Sequence, residues 1–149
     1  MMDEVETQYY RLLIVAGPVG TGKTNALQLV SNKTGASLVN VNLEISRELL
    51  AMSERQRSVK LPKILEEVTA AATPGHTLVL LDNLEILFDS KLKQDPLRLL
   101  QRLSRNRTVI AAWPGLAENR QIVYADPEHP EYRRYPIRDF LVVGPEPGR

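Results

Sequence analysis

The stretch GPVGTGKT, residues 17–24, combines residue types that could hold a phosphate group. Glycines allow positive φ angles and bring backbone N–H groups close to phosphate oxygens. Lys23 can place a positive charge on the outer phosphates of a nucleotide, and the Thr24 hydroxyl can bind Mg²⁺. A helix that begins near Lys23 would point its partial positive end at the same anion. We therefore predict a nucleotide-binding loop that consists of Gly17, Pro18, Val19, Gly20, Thr21, Gly22, Lys23, Thr24 and Asn25.

A carboxylate follows the apolar run LVLL, where it could help to hold a metal ion. Asp82 comes directly after this run. In nucleotide-hydrolysing proteins, an aspartate at the end of a neighbouring strand holds the Mg²⁺ that accompanies the phosphates. The alternative for Asp82 is a helix N-cap, a position in which aspartate is favoured. With the phosphate loop upstream, we predict that Thr24 and Asp82 hold Mg²⁺ and that the nucleotide is ATP.

Hydrolysis also needs a group that orients or deprotonates the attacking water. Many ATPases of the AAA+ type carry a glutamate directly after the strand-end aspartate, but here that position is Asn83. Glu85 is the nearest carboxylate, and Glu44, just beyond the second apolar run, is the other candidate. Either could instead be a solvated acid near a helix start. The order Asp82, Asn83, Glu85 is similar to that of STAND ATPases, which often bind nucleotide as a switch.

An arginine-rich segment, RLLQRLSRNR, contributes Arg98, Arg102, Arg105 and Arg107. The first three share one face of a predicted helix because they are spaced four and three residues apart. Three interpretations remain open: a solvated helix face, a contact with a nucleic-acid backbone, and an arginine donated to a neighbouring subunit's site. For the last role we single out Arg105, which joins Lys23 and Glu85 as the predicted catalytic residues.

Five apolar runs, separated by helical patterns, must position these side chains; they span residues 12–17, 36–42, 76–83, 108–113 and 139–144. Their near-continuous apolar character is typical of parallel strands that are covered on both faces. Strands that alternate with helices predict a three-layer α/β architecture. The glycine-rich stretch follows a predicted strand and opens a predicted helix, which disfavours a ligand-free turn. We predict one domain, residues 1–149 with its core at about 12–144, with a P-loop NTPase core of the ASCE or AAA+-like type, about five mostly parallel strands and no helical lid domain.

Other segments carry weaker signals. A helix is expected over residues 84–106 with an interruption at Asp95–Pro96, and another is expected to have Pro62 in its first turn. QIVYA and YRRYP are predicted to pair as a β-hairpin in preference to an irregular loop. The interleaved tyrosines and arginines at 132–135 favour a surface hairpin over a nucleic-acid or protein contact. Trp113 is predicted to fill the core rather than to stack on a base.

Composition limits the remaining classes. The 149 residues include 19 basic and 18 acidic side chains, a net charge of +1 that leaves DNA contact open without indicating it. The absence of cysteine excludes disulfides and thiolate metal sites. The N-terminal stretch is acidic and polar, and no apolar run approaches the roughly 18 residues of a membrane helix. We therefore expect a cytoplasmic protein with no membrane contact.

Five segments together resemble a known family: GPVGTGKT, LVNVNLEISRELL, LVLLDNLEILFD, SRNRTVIAAWPG and YADPEHPEYRRY. They are similar to BrxF, the small P-loop protein of type III BREX (bacteriophage exclusion) defence systems. The resemblance covers residues 12 to 140, and its more specific parts are WPG and PEHPEYRRY. It implies an ATPase that restricts phage beside other BREX components, including a DNA methyltransferase and a large ATPase. Without a lid, closure over the nucleotide would come from a neighbouring subunit or another protein.

The resulting hypothesis is a Mg²⁺-dependent ATPase in antiphage defence, whose site is completed in a homo-oligomer or in a complex with BREX components. The first alternative is a nucleotide-gated interaction module with little turnover, suggested by Asn83. The second is a P-loop kinase for a small molecule, with the Tyr–Arg segment near Arg133 as its lid. A guanine-specific GTPase is disfavoured because the chain has no N-K-x-D motif.

Overall fold

The computed structural model describes residues 11–17, 22–75, 77–125 and 128–144. Within these ranges the strands are Leu12–Ala16 (β1), Ser37–Asn40 (β2), Leu78–Asp82 (β3), Thr108–Trp113 (β4), Leu116–Glu118 (β5), Gln121–Tyr124 (β6), Arg133–Pro136 (β7) and Leu141–Val143 (β8). The α-helices are Lys23–Thr34 (α1), Val41–Leu49 (α2), Glu54–Ala71 (α3) and Pro96–Leu103 (α4). Two short 3-10 turns, Glu85–Phe88 and Ser90–Leu92, lie between β3 and α4.

Five strands form one parallel sheet in the order β2-β3-β4-β1-β8. This confirms the predicted five-stranded parallel core. Because β4 lies between β1 and β3, the loop after β1 and the last residue of β3 meet at one edge of the sheet, on either side of the end of β4. From β4 onward the described residues form strands and turns, with no helical lid among them.

Side chains of the sheet alternate between two apolar cores, because successive residues of a strand point to opposite faces. On one face, Leu27 and Val30 of α1 pack with Leu13, Leu80 and Ile110. The other face carries the larger core, to which α2, α3 and α4 contribute. The sheet therefore lies between two helical layers, as the apolar runs predict. None of the helices in the described part of the chain is long and apolar enough to cross a membrane.

Helix α3 corrects one prediction, because Pro62 lies inside it and not in its first turn. The helix begins earlier because Ser53 and Gln56 form a capping box, in which each side chain accepts a hydrogen bond from the other's backbone N–H at 3.2 and 3.0 Å. Pro62 has no N–H to donate to the carbonyl of Ser58, four residues earlier. Gln94 replaces that donor: its Nε2 lies 2.6 Å from the Ser58 oxygen. The helix therefore continues through the proline.

The segment after β3 corrects another prediction, because residues 84–95 contain two short 3-10 turns, Glu85–Phe88 and Ser90–Leu92, and no α-helix. Asn83 and Lys93 adopt left-handed backbone angles, with φ of 56° and 54°, which a right-handed helix does not tolerate. Helix α4 then begins at Pro96, where the Asp95 side chain accepts a hydrogen bond from the Arg98 N–H at 3.2 Å. The boundary predicted at Asp95–Pro96 is therefore present, but as the start of α4 and not as an interruption within a longer helix.

A small antiparallel sheet of β5, β6 and β7 connects β4 to β8. The predicted hairpin is confirmed, because β6 pairs with β7 in the register Gln121↔Pro136 to Tyr124↔Arg133. Strand β5 was not predicted, and residues 126 and 127, between the two predicted strands, lie outside the described ranges. Trp113 is fully buried and meets Phe88 edge-on at 5.0 Å between ring centroids, which confirms its place in the core.

The small sheet is anchored to the segment before α4. The Tyr135 hydroxyl donates to Asp95 Oδ1 at 3.0 Å, and Arg133 Nη2 donates to the Gln94 carbonyl at 2.9 Å. Burial, reinforced by the negative charge of Asp95, raises the pKa of Tyr135 above its ordinary value. The Ser90 N–H donates to Glu131 at 3.0 Å. These contacts fix the Tyr–Arg segment against the core.

An ion pair links α3 to the start of β4. Arg107 donates to both carboxylate oxygens of Glu66, at 2.8 and 3.4 Å. The Arg107 side chain is only 10% exposed, whereas that of Glu66 is 36% exposed. Arg107 thus has a structural partner within its own chain, whereas the exposed Arg98, Arg102 and Arg105 form no ion pair within 4.0 Å with any described residue.

The unequal burial predicts unequal effects of breaking this pair. Glu66→Gln should lower the free energy of unfolding by about 3 kcal/mol, because it leaves the buried guanidinium without a counter-charge. Arg107→Met should cost only about 1 kcal/mol, because water can solvate the exposed Glu66 carboxylate. Urea unfolding of both variants measures the difference. Equal losses, or a larger loss for Arg107→Met, would contradict this account.

Candidate functional site

The beginning of the glycine-rich loop is held against the end of β4. The Gly17 N–H donates to the Gly115 carbonyl at 2.7 Å. Pro18, Val19, Gly20 and Thr21 lie outside the described residues. Gly22 resumes the chain in a left-handed conformation (φ 85°), which a residue with a side chain rarely adopts. Helix α1 follows with no side-chain cap and no acid in its first turn, so these residues leave its positive end uncompensated.

Lys23 and Thr24 open α1 and point toward the end of β3. The Thr24 hydroxyl donates to Asp82 Oδ2 at 2.7 Å, although the residues are 58 positions apart. The other carboxylate oxygen of Asp82 accepts a hydrogen bond from the Asn83 N–H at 2.9 Å. Asp82 is only 7% exposed, and both of its carboxylate oxygens accept hydrogen bonds from the protein. These two hydrogen bonds hold the buried carboxylate in one orientation.

Lys23 sits beside these groups in a partly buried position. Its Nζ donates to the Gly17 carbonyl at the end of β1. Burial lowers the pKa of Lys23 below its ordinary value, and the negative charges of Glu85 and Asp82 oppose that shift. An ammonium that has lost part of its hydration gains from an added anion, because the anion restores the lost stabilisation of the charge.

Glu85 lies on the first 3-10 turn and is held by Asn42. The Asn42 Nδ2 donates to Glu85 Oε2 at 3.2 Å, and the Asn42 Oδ1 accepts from the Ile86 N–H at 2.7 Å. The Asn42 N–H also donates to the Asn83 carbonyl at 3.0 Å. Asn42 therefore fixes both the left-handed turn and the exposed glutamate that follows Asp82.

Sequence reasoning missed Asn42 and considered Glu44 instead. Both follow β2, which is paired in register with β3 so that Asn40 lies opposite Asp82. The sequence did place both residues just after β2, at the end of the sheet where β3 also ends. Only the register between β2 and β3 shows that Asn42, and not Glu44, reaches the turn after Asp82. Glu44 pairs with Arg47 at 3.7 Å and lines a separate cavity with β2 and α3.

The site is an open cavity of about 330 Å³ at the carboxyl edge of the sheet. It is lined by Gly22, Lys23, Thr24, Asn25, Asp82, Asn83, Glu85 and Ala112. The structure thus brings together six of the residues singled out from the sequence. Larger cavities lie elsewhere on the molecule, but this one combines an ammonium, a hydroxyl, two carboxylates and a helix N-terminus.

The donor set fits a hard divalent cation and a polyphosphate. Mg²⁺ prefers oxygen ligands, and the Thr24 hydroxyl and the Asp82 carboxylate offer two oxygens 2.7 Å apart at the cavity wall. The Lys23 ammonium and the N-terminus of α1 supply positive charge for phosphate oxygens. The chemistry that this arrangement can perform is therefore the binding of a nucleotide phosphate chain with its metal ion.

The arginines predicted from the sequence lie away from this cavity. Arg105 is exposed between α4 and β4, at the opposite edge of the sheet. The length of β4, roughly 16 Å, separates that edge from Lys23. Arg107 is committed to Glu66. Arg105 is therefore not brought to the cavity of its own chain, and only a second molecule could place it near one.

Comparison with known families identifies the same region. The family model described as ATPase family associated with various cellular activities (AAA) matches residues 13–112, about two thirds of the chain. The match runs from β1 to the end of β4 and contains Lys23, Asp82 and Glu85. No curated protein matches the chain at a significant level.

Gly115, whose carbonyl accepts the Gly17 N–H at the start of the glycine-rich loop, lies in a crowded position, so Gly115→Ala should strongly lower stability. A Cβ atom at this position would lie 1.8 Å from the Val123 carbonyl oxygen and 3.1 Å from the Trp113 ring nitrogen. That carbonyl accepts the Trp113 indole N–H at 3.0 Å, so the small sheet must move away and break the bond. We expect a loss of about 3 kcal/mol of stability and a red shift of tryptophan fluorescence.

The chain offers a graded control and a clean readout for this change. Trp113 is the only tryptophan, so the tryptophan emission reports on the surroundings of this one side chain. Gly144→Ala would place its Cβ 2.8 Å from the Ala16 carbonyl, a milder clash at a different strand. It should cost less stability and leave the emission unchanged. An unshifted spectrum in Gly115→Ala would show that the contact does not hold the small sheet in place.

Proposed function

The chain belongs to the ATPase family associated with various cellular activities, and from this we propose that it binds ATP with Mg²⁺ in the cavity at the end of β1 and hydrolyses it to ADP and phosphate. The observation that carries the proposal is the 2.7 Å hydrogen bond from Thr24 to Asp82 beside Lys23. This contact joins the hydroxyl and the carboxylate that hold the cation in nucleotide-hydrolysing proteins.

Each residue of the cavity has a role in this proposal. The loop from Gly17 to Gly22, including Pro18, Val19, Gly20 and Thr21, would surround the phosphates, with backbone N–H groups from its residues other than Pro18, which has none, and Asn25 lines the same cavity. Lys23 gives up its contact with the Gly17 carbonyl and moves to the outer phosphates. Thr24 and Asp82 would hold the Mg²⁺ ion, whose chemistry when bound would be to stabilise negative charge on the phosphate oxygens.

Glu85 is the proposed group that orients the attacking water. Water forms a bond to the γ-phosphorus while the bond to the bridging β–γ oxygen breaks, and the water proton passes to Glu85 or to solvent. The support is that Glu85 lines the same cavity as Lys23 and Asp82. Release of Glu85 from Asn42 would free the carboxylate for this role.

Arg105 is the proposed cation that completes the site from a second copy of the chain or from a partner. It is exposed and has no contact with the cavity of its own chain. The negative charge on the phosphoryl oxygens in the transition state needs stabilisation by more positive charge than Lys23 alone supplies. The active form in this proposal is therefore a homo-oligomer or a larger complex.

A nucleotide-gated interaction module is the second candidate. It is favoured by Asn83 directly after Asp82 and by the exposed Glu85, which is already engaged by Asn42. A small-molecule kinase is disfavoured, because the Tyr–Arg segment that would form its lid is fixed to the core through Tyr135 and Arg133.

ATP hydrolysis by the purified protein, measured over a wide range of protein concentrations, tests the proposal. Specific activity should rise with concentration, because the site needs an arginine from a second molecule. Asp82→Ala should lower turnover by about 100-fold or more, because it weakens the cation that stabilises the transition-state charge. Glu85→Gln should lower turnover by roughly 100-fold or more while ATP remains bound.

Matched lysine variants separate binding from turnover. Lys23→Ala should abolish ATP binding, whereas Lys33→Ala, which removes an exposed lysine from the same helix, should not change it. If Lys23→Ala binds ATP as the wild type does, the cavity is not the nucleotide site. Full ATP binding with no turnover at any concentration would favour the gated module.

We also propose that this ATP site serves a type III BREX defence system in the bacterial cytoplasm. The support is the resemblance of the WPG and PEHPEYRRY segments to BrxF, and the family match adds only that the chain is an ATPase-type protein. In this proposal the partners of the chain are the other BREX components.

Phage plating tests the defence role. In a strain that carries a complete type III BREX system, Lys23→Ala in this chain should restore plaque formation to the level of an undefended strain. Lys33→Ala should keep protection, because it leaves the cavity intact. Protection that survives deletion of the chain would rule out the role.

A further inference from the structure

A groove rich in arginine lies between α3 and α4, away from the ATP cavity. It has a volume of about 480 Å³ and is lined by Arg98, Arg102 and Arg105 together with Pro62 and Gln94. A second open cavity, lined by Arg55, Lys91 and Lys93, lies next to it. The three basic residues of each cavity are exposed.

The two cavities are adjacent. Gln94 lines the first and Ser58 lines the second, and Gln94 Nε2 donates to the Ser58 carbonyl at 2.6 Å. Lys93 precedes Gln94 in the chain. We call the exposed cations of these two adjacent cavities the basic strip; it consists of Arg55, Lys91, Lys93, Arg98, Arg102 and Arg105.

The charge of the basic strip is unbalanced. Its two cavities are lined by six cationic side chains and by two carboxylates, Glu54 and Asp95, in a chain whose net charge is only +1. The Asp95 Oδ1 atom already accepts hydrogen bonds from the Tyr135 hydroxyl and the Arg98 N–H. Among the described residues, no ion pair within 4.0 Å includes a cation of the strip. The strip is therefore not a face of mutually neutralising pairs.

The arrangement suits an extended anion better than a single one. Arg98 and Arg102 are four residues apart on α4, about 6 Å along the helix axis, and Arg105 follows about one turn later. A single arginine would suffice for the triphosphate of a neighbouring subunit, whereas the six cations of the strip are more than that ligand needs. One guanidinium group can donate two parallel hydrogen bonds to the oxygens of one phosphate. A row of arginines therefore suits a row of phosphates.

We propose that the basic strip binds the phosphate backbone of a nucleic-acid duplex without reading its sequence. Phosphate contacts position a protein on a duplex but carry no base information. None of the described residues that line the two cavities is aromatic, whereas proteins that bind single strands stack bases on aromatic side chains. No residue of the strip lines the ATP cavity of its own chain, so a single copy should bind the duplex without ATP.

Fluorescence anisotropy with labelled duplex DNA of mixed sequence and without ATP tests the proposal. The variant Arg55→Ala/Lys91→Ala/Arg98→Ala removes three exposed cations of the strip and leaves the proposed catalytic residues untouched. Its affinity at about 50 mM salt should fall at least roughly tenfold, and the slope of log K against log salt should become shallower by about 2.7. A duplex of different sequence should give the same loss.

The matched control is Lys33→Ala/Arg47→Ala/Arg138→Ala, which removes the same charge from exposed positions outside the strip. It should bind as the wild type does, and thermal unfolding should show both triple variants folded. Absence of wild-type binding, an equal loss in the control, or tighter binding of a single strand would overturn the proposal. The same measurement with duplex RNA shows whether the strip prefers a DNA or an RNA backbone. Binding of either duplex that is lost in the strip variant supports the proposal.

Discussion

The candidate site depends on one contact across the sheet, the hydrogen bond from Thr24 to Asp82. It forms only because β1 and β3 run parallel on either side of β4, so that a helix start and a strand end meet over Ala112. The glycine loop before Thr24 is tied to β4 through the Gly17 N–H and the Gly115 carbonyl. Asn42 then holds the chain that leaves Asp82. A shift of either strand by one residue would separate the hydroxyl from the carboxylate.

Much of the fold and part of the site could be predicted because the signals are local. Strands β3 and β4 are buried throughout, so their residues are almost all apolar and easily recognised. Asp82 was found because it ends such a run. The 3-10 turns after β3 were missed because residues 84–95 have an apolar pattern compatible with a helix, and distant contacts decide their conformation, among them Ser90 with Glu131. Asn42 was missed for the same reason, since its partner Glu85 lies 43 residues away.

The segment between β3 and α4 contributes residues both to the cavity of the candidate site and to the arginine groove. The sequence suggests that these two places are separate. Its first residue after the turn, Glu85, lines the cavity of the candidate site, and its last ones, Gln94 and Asp95, line the arginine groove. The small antiparallel sheet contacts its middle and its end through Glu131, Arg133 and Tyr135. Such an irregular segment keeps its shape through side-chain contacts with other elements, because its own backbone hydrogen bonds are few.

The proline inside α3 has a consequence for how this sequence can vary. The carbonyl of Ser58 would lack a donor at Pro62, and the amide of Gln94 fills the vacancy from outside the helix. The two positions therefore depend on each other: Gln94 is needed as long as residue 62 is proline, and an ordinary residue at 62 would release it. Over evolutionary time these positions should change together, although they are 32 residues apart and on different elements.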